Sequence, residues 1–179
     1  GDVHGCYDEL IDLLHALGWS VTPNADQPEG SVQLLPPTET TRKLAFLGDL
    51  VDRGPKVPAV LRLVMDAVRA GVALCVPGNH DMKLMRAMQG RNVQITHGLA
   101  ESLNQLANES QEFRYAVIDF IDDLVSHYVL DDGRLVAAHH DGHHIGVNHD
   151  PQHPGANLAM SRHGPHGQAA PCGNGSRPA

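Results

Sequence analysis

Gly48-Asp49-Leu50-Val51-Asp52-Arg53-Gly54 follows directly on a short β-type run at residues 43–47. A strand ending on Gly48 and Asp49 brings a carboxylate out at its C-terminal edge, where open α/β sheets hold their sites. Two stretches of similar make-up flank it: Gly1-Asp2-Val3-His4-Gly5 before and Gly78-Asn79-His80-Asp81 after. Together they set carboxylates, two imidazoles, a carboxamide and a guanidinium at the ends of three apolar or apolar-flanked segments. Hard and borderline divalent cations take these oxygen and nitrogen donors. A carboxylate on a central strand end can bridge two ions roughly 3.5–4 Å apart. The donor set therefore reads as that of a two-metal phosphoesterase, with Asp49 as the bridge.

Each stretch alone has a blander reading. Asp2 and His4, two apart, can turn toward one ion on an extended loop, with Gly1 and Gly5 allowing close backbone approach, but a lone Asp-X-His means little. Asp52-Arg53-Gly54 is a common turn, and Asn79-His80-Asp81 suits a helix N-cap with a first-turn acid. Coincidence becomes a poor explanation only because the three occur in this order, each about thirty to fifty residues from the next.

The intervening sequence supplies strands and helices for these loops. Leu10, Ile11, Leu13, Leu14 and Leu17 recur at helical spacing, with Asp8 and Glu9 in the first turn and Gly18 as the stop. That predicts a core-facing helix with His15 on its surface. Residues 20–41 are interrupted by prolines and read as a long connection with at most a short strand at 32–35. Pro55 and Pro58 open a helix whose face is Val57, Val60, Leu61, Val64 and Val68, ending at Gly71. Residues 72–76 form a buried strand in which Cys75 serves as a small hydrophobe. A helix bearing Met82, Leu84, Met85 and Met88 follows the third motif. Residues 90–98 are a turn region in which His97 could line the phosphate pocket or hydrogen-bond within the turn, the second being the expectation. Two more helices come next, the second carrying the stripe Phe113, Val117, Phe120, Ile121, Leu124, Val125 and Tyr128, with His127 on it in a structural role. A hairpin at 128–130 and 135–138, turning at Asp131-Asp132-Gly133, delivers His139 at a strand end just as Asp49 is delivered.

Composition narrows the partners. With 179 residues and a formal charge of -8, broad counterion-releasing contact with a polyanion is disfavoured, although bound divalent ions would reverse the sign locally. Three widely spaced cysteines, Cys6, Cys75 and Cys172, indicate neither a disulfide framework nor a Cys-X-X-Cys zinc site. No apolar run reaches membrane-spanning length, so no membrane partner and a cytoplasmic location are expected. The chain opens directly on its first metal-binding motif, which suggests that a preceding strand has been trimmed. Residues 140–179 hold seven of the thirteen histidines and no aromatic residue. They are expected to be a disordered tail, because so little apolar surface cannot offset ordering entropy. His143, His144, His149 and His153 could bind metal adventitiously.

The motifs GDVHG, GDLVDRG and GNHD resemble those of the calcineurin-like metallophosphoesterases, in the branch holding phosphoprotein phosphatases and bis-nucleoside tetraphosphatases. The wider run includes residues 78–84, 90–94, 96–102 and the hairpin from Tyr128 to His139. It is most similar to the phosphatase domain of bacterial polynucleotide kinase-phosphatase, an RNA end-healing enzyme. The resemblance covers Gly1 to His139 and implies an α/β fold, an incomplete αββα sandwich of mixed sheets flanked by helices, over residues 1–139. It implies two divalent ions, Mn²⁺ by preference with Fe, Ni, Co or Zn as alternatives. Asp2 and His4 would hold the first, Asp49 would bridge, and Asn79 and His139 would hold the second. Arg53, Asn79 and His80 would bind the substrate phosphate. His80 would also protonate the leaving oxygen, with Asp52 orienting its ring.

The implied activity is hydrolysis of phosphomonoesters or cyclic phosphodiesters at RNA or DNA 3' ends. Alternatives are a Ser/Thr phosphoprotein phosphatase, a bis-nucleoside tetraphosphatase, or an inactive metal-binding remnant. A phosphorylated nucleic-acid end or another phosphoester substrate would be the partner, joined by the kinase and ligase modules of the parent enzyme if the chain is a fragment. Past His139 the family continues with Ala-Gly and, later, a Gly-His motif supplying a further ligand. Here His140-Asp141-Gly142 and the low-complexity tail stand instead, and no Walker-type Gly-X-X-X-X-Gly-Lys-Ser/Thr occurs. A fragment, or a change of reading frame near His139, is the expectation from that departure.

Overall fold

Residues 1–25, 27, 30–37 and 42–139 are described by the structure, a computed structural model. The first loop leads into α1 (Tyr7–Ala16), which is followed by β1 (Ser20–Pro23) and β2 (Val32–Leu35). The central β3 (Leu44–Leu47) is joined to β4 (Ala73–Val76) by α2 (Val57–Arg69). Three helices follow, α3 (Asn79–Met88), α4 (Leu99–Ala107) and α5 (Gln111–Asp123), and then the hairpin of β5 (His127–Leu130) and β6 (Leu135–Ala138).

The element that positions the site is the β3-α2-β4 unit. Its strands pair in parallel, Leu44 opposite Ala73 through Leu47 opposite Val76, so both motif loops leave the same edge. Pro58 in the first turn of α2 starts the helix where a missing N–H costs nothing. Its predicted face is buried from Val57 to Val64, and Leu63, Met65 and Ala67 are buried as well. The helix is therefore enclosed nearly all round, packed against α1, β2, β4 and α4. Burial of this kind stabilises by about 1.5–3 kcal/mol for each large apolar side chain.

The α/β class holds, with helices around small sheets. Among the described residues the strands form three two-stranded sheets, β1-β2 and β5-β6 antiparallel and β3-β4 parallel, with β6 lying against β3. Three local expectations need correction. The 20–41 connection contains a second strand, β1, paired with β2 from Ser20 opposite Leu35 to Pro23 opposite Val32. The pairing is decided across the hairpin, and the backbone N–H of Val32 is further tied to the Asp66 carboxylate of α2 at 3.0 Å. On α1 only Leu10 and Leu14 of the predicted stripe are buried, and Leu13 and Leu17 are about half exposed. The α5 stripe stops early: Leu124 is extended, at ψ 136°, and His127 opens β5 instead of continuing the helix.

The hairpin turn runs through Asp131, Asp132 and Gly133, all at positive φ, the backbone hand that matches twisted hairpin strands. The 1–139 and 140–179 division, the expected disordered tail and its histidines lie outside the described residues. No helix among the described residues is long and apolar enough to cross a membrane.

Candidate metal centre

Strand β3 ends at Leu47, and Gly48 and Asp49 follow with φ of 76° and 50°. This left-handed backbone turns the Asp49 side chain toward the parallel neighbour's loop. There Gly78 passes so close that a Cβ on it would collide with the Asp49 carboxylate and backbone nitrogen. The first loop is held against the second by main-chain bonds, His4 N–H to Asp49 O at 2.9 Å and Gly5 N–H to Leu50 O at 2.8 Å. Asp81, in the first turn of α3, closes the third corner. Its buried carboxylate accepts from Gly78 N–H at 2.8 Å and Leu50 N–H at 2.9 Å. Burial pushes that carboxyl up to about 6, with the backbone donors pulling the other way, so above pH 7 it remains the ionised acceptor these N–H groups need.

Backbone strain concentrates here. Among the described residues eight non-glycines have positive φ; Asp2, His4, Asp49, Asp52, Arg53 and His97 are six of them, and the other two sit in the hairpin turn. Such conformations persist where surrounding structure over-determines them, as it does at functional sites.

The imidazoles are oriented by the same logic. His4 Nδ1 lies 2.8 Å from Val51 O, and His139 Nδ1 lies 2.6 Å from Leu47 O. A carbonyl can only accept, so each Nδ1 carries the proton and each Nε2 presents a lone pair. Both lone pairs face one carboxylate: His4 Nε2 is 3.9 Å from Asp49 Oδ2, and His139 Nε2 is 3.6 Å from Asp49 Oδ1. His139 Nε2 also lies 3.2 Å from Asn79 Oδ1. Acceptors thus confront acceptors around Asp49, an arrangement that a cation relieves, and metal-ligating histidines are commonly fixed in this way by a second bond from the far ring nitrogen. The donors form two groups sharing Asp49, namely His4-Asp49-His80 and Asp2-Asp49-His139, with ligand atoms within 4.8 Å of one another in each. The residues present fit divalent ions on donor chemistry alone.

Of the eight sequence-predicted site residues, all but Arg53 make a side-chain contact in this cluster. His4, Asp49, Asp52 and His80 are buried, Asp2 and Asn79 are exposed and His139 is half-buried. Asp2, paired with His4 in the sequence reading, has its carboxylate grouped with Asp49 and His139. Arg53 is exposed on the loop rim. Its backbone nitrogen is in close contact with Gly98, the residue before α4, where φ of 94° leaves no room for a Cβ.

His80 Nδ1 lies 2.6 Å from Asp52 Oδ2, so the ring donates from Nδ1 and its Nε2 is left free of that bond. His4 and His80 meet edge to face, with ring centroids 4.9 Å apart. His97 is exposed, with its ring steeply inclined to that of His80 and the centroids 6.4 Å apart. His127, expected on the long helix, stands at the start of β5 with Nδ1 2.9 Å from Ser126 Oγ. Sequence reasoning missed what Asp81 and Ser102 do. Asp81 had a signal, since an acid three residues past Gly78 is placed to bond back to that backbone N–H. Ser102 had none, because its partner Asp52 is fifty positions away.

A family model described as calcineurin-like phosphoesterase matches residues 1–168. The chain belongs to the calcineurin-like phosphoesterases. It is similar to members of that family named bis(5'-nucleosyl)-tetraphosphatase PrpE [asymmetrical]. The protein of that name from Halalkalibacterium halodurans is 41% identical over 144 residues, covering 78% of this chain and 54% of the relative. The one from Anoxybacillus flavithermus is 38% identical over 143 residues, with the same coverage of 78% and 54%. That from Bacillus subtilis is 36% identical over 142 residues, covering 77% and 54%. The chain spans about half the length of these curated relatives. The resemblance to polynucleotide kinase-phosphatase is corrected by them: none of the three carries an end-healing name, and the kinase and ligase partners inferred from that resemblance lose their support with it. The calcineurin-like phosphoesterases are metal-dependent hydrolases, in keeping with the donor groups around Asp49.

Proposed function

We propose that this chain carries the metal-dependent hydrolytic centre of a dinucleoside tetraphosphatase, one that splits a bis-nucleoside tetraphosphate into unequal nucleotides. The observation that carries the reading is the pair of donor groups meeting at Asp49, with His80, a member of one of them, oriented by Asp52. The names of the relatives support the substrate class. Asp49 is assigned to the bridge, with His4, Asp2, Asn79 and His139 completing the two sites. Divalent ions, when bound, make water nucleophilic near neutral pH and neutralise charge on the phosphoryl oxygens.

The chain's own residues do the rest. Arg53, exposed at the rim, offers a planar fork to two phosphoryl oxygens, a task for which lysine is a poor substitute. His80, acting as the imidazolium with protons on both ring nitrogens, hands the one on Nε2 to the departing oxygen and is left as the neutral Nδ1–H ring. Asp52 keeps Nδ1 protonated, so the ring presents only its other nitrogen to the reaction. The identity of the metal is left to Mn²⁺ as first choice.

The test is a side-by-side assay of diadenosine tetraphosphate, an RNA bearing a 3'-phosphate and a phosphoserine peptide. Mono- plus triphosphate products from the first, at the highest kcat/KM, are expected. Faster release of phosphate from the RNA end would return the reading to nucleic-acid termini, which the charge of -8 does not favour.

A further inference from the structure

Ser102 is fully buried on α4 and meets Asp52 twice. Its Oγ lies 2.7 Å from Asp52 Oδ1, and the Asp52 backbone nitrogen lies 3.0 Å from the same Oγ. A hydroxyl has one proton and can accept as well. The Asp52 N–H donates to Oγ, and Oγ–H then has two acceptors in range, Asp52 Oδ1 at 2.7 Å and Gly98 O at 3.3 Å. The shorter contact, to an ionised acceptor, takes it. Asp52 is thereby gripped at its backbone and at one carboxylate oxygen by a single side chain, and its other oxygen is left for His80 Nδ1 at 2.6 Å. The aspartate needs such a grip: it sits at φ 70°, where an unsupported residue would relax toward ordinary backbone, and rotation of its carboxylate would release the imidazole.

We propose that Ser102 is the positioning residue of the reaction, locking the Asp52 carboxylate so that His80 keeps its Nδ1 proton and aims Nε2 at the leaving oxygen. The inference rests on the phosphohydrolase reading but is not implied by it, since a buried serine could equally be mere packing. It also gives α4 a function. Gly98 opens that helix in close contact with the Arg53 backbone, and one turn later Ser102 clasps the neighbouring aspartate, so a single helix end sets the Asp52-Arg53 pair.

The experiment compares the full chain with Ser102→Ala, Ser102→Thr and Asp52→Asn, and with Ser102→Ala in the Asp52→Asn background. Phenyl phosphate and 4-nitrophenyl phosphate serve as poor and good leaving groups. Ser102→Ala is expected to lower kcat on phenyl phosphate by about ten- to a hundredfold, part of what proton transfer contributes. It should change 4-nitrophenyl phosphate turnover by less than about threefold, with metal content unaltered. Ser102→Thr, which keeps the hydroxyl, should restore the ratio, and Ser102→Ala should add nothing once Asp52 is Asn. Equal losses on both substrates, or additive effects in the double variant, would overturn the inference.

A second readout is independent of turnover. In the metal-free wild-type chain the His80 Nδ1 proton should appear far downfield by NMR, and it should move upfield in Ser102→Ala. An unchanged resonance would also overturn the inference. An inactive wild type showing that proton shift would sink the phosphohydrolase reading while leaving the clamp intact. Should Ser102→Ala not fold, Ser102→Cys, nearly the same size with a weak donor, carries the same comparison with the same expected ratio.

Discussion

Replacing Asp81 by alanine tests whether the three loops are held by the contacts described here. The Asp81 carboxylate accepts the N–H groups of Gly78 and Leu50 at 2.8 and 2.9 Å, and it is fully buried. Each buried N–H left without an acceptor costs about 1–3 kcal/mol. Two of them put the loss at about 2–6 kcal/mol, a large share of the roughly 5–15 kcal/mol available to an ordinary domain. Urea unfolding followed by circular dichroism, above pH 7 and with chelator present, reads this loss without any contribution from bound ions. Asp81→Asn, which keeps one acceptor oxygen, should fall between wild type and Asp81→Ala. A loss below about 1 kcal/mol for Asp81→Ala would mean that other groups satisfy those N–H donors, and the account of how the second and third loops are joined would be wrong.

Three other outcomes are expected. His80→Ala should lose about a hundred- to ten-thousandfold on poor leaving groups, with little change on good ones when compared at saturating metal; equal losses across an aryl phosphate series would remove His80 from the proton-donor role. Gly78→Ala should destabilise by about 1–3 kcal/mol through overpacking against Asp49, and Mn²⁺ should raise its melting temperature less than that of wild type; a variant that melts as wild type does, both without the ion and with it, would contradict the close approach. Arg53→Lys should lower kcat/KM by about ten- to a hundredfold, the worth of one charge-assisted bond of about 1.5–3 kcal/mol, and steady-state kinetics that match wild type would leave Arg53 without a phosphate role.

The site was more legible than the fold around it, for a physical reason. The candidate site residues sit on tight loops at strand ends, so Asp49, Asn79 and His80 are announced by local chemistry, a glycine and a short polar cluster after an apolar run, and His139 by the apolar strand before it. The elements that went unread depend on distant partners. β1 carries Pro23 and only one half-buried apolar side chain, Val21, and it is a strand because β2 lies opposite. The end of α5 has no glycine or proline between Asp122 and His127, so in the sequence the helical stripe runs on. Pairing of His127 with Ala138 and its neighbours overrides that local preference. The choice between the two readings of His97 was open for the same reason: nothing near it in sequence reveals that its turn is carried to His80. Ser102 is the extreme case, a small polar residue whose use appears only when α4 is laid against the Asp52 loop.

The central claim is that Asp49 is the shared ligand of two divalent ions, and calorimetric titration of Mn²⁺ into the chelator-stripped chain measures it directly. About two ions per chain are predicted for the wild type, with Asp49→Ala losing both together. Saturation at no ions, or wild-type binding that survives in Asp49→Ala, would contradict it.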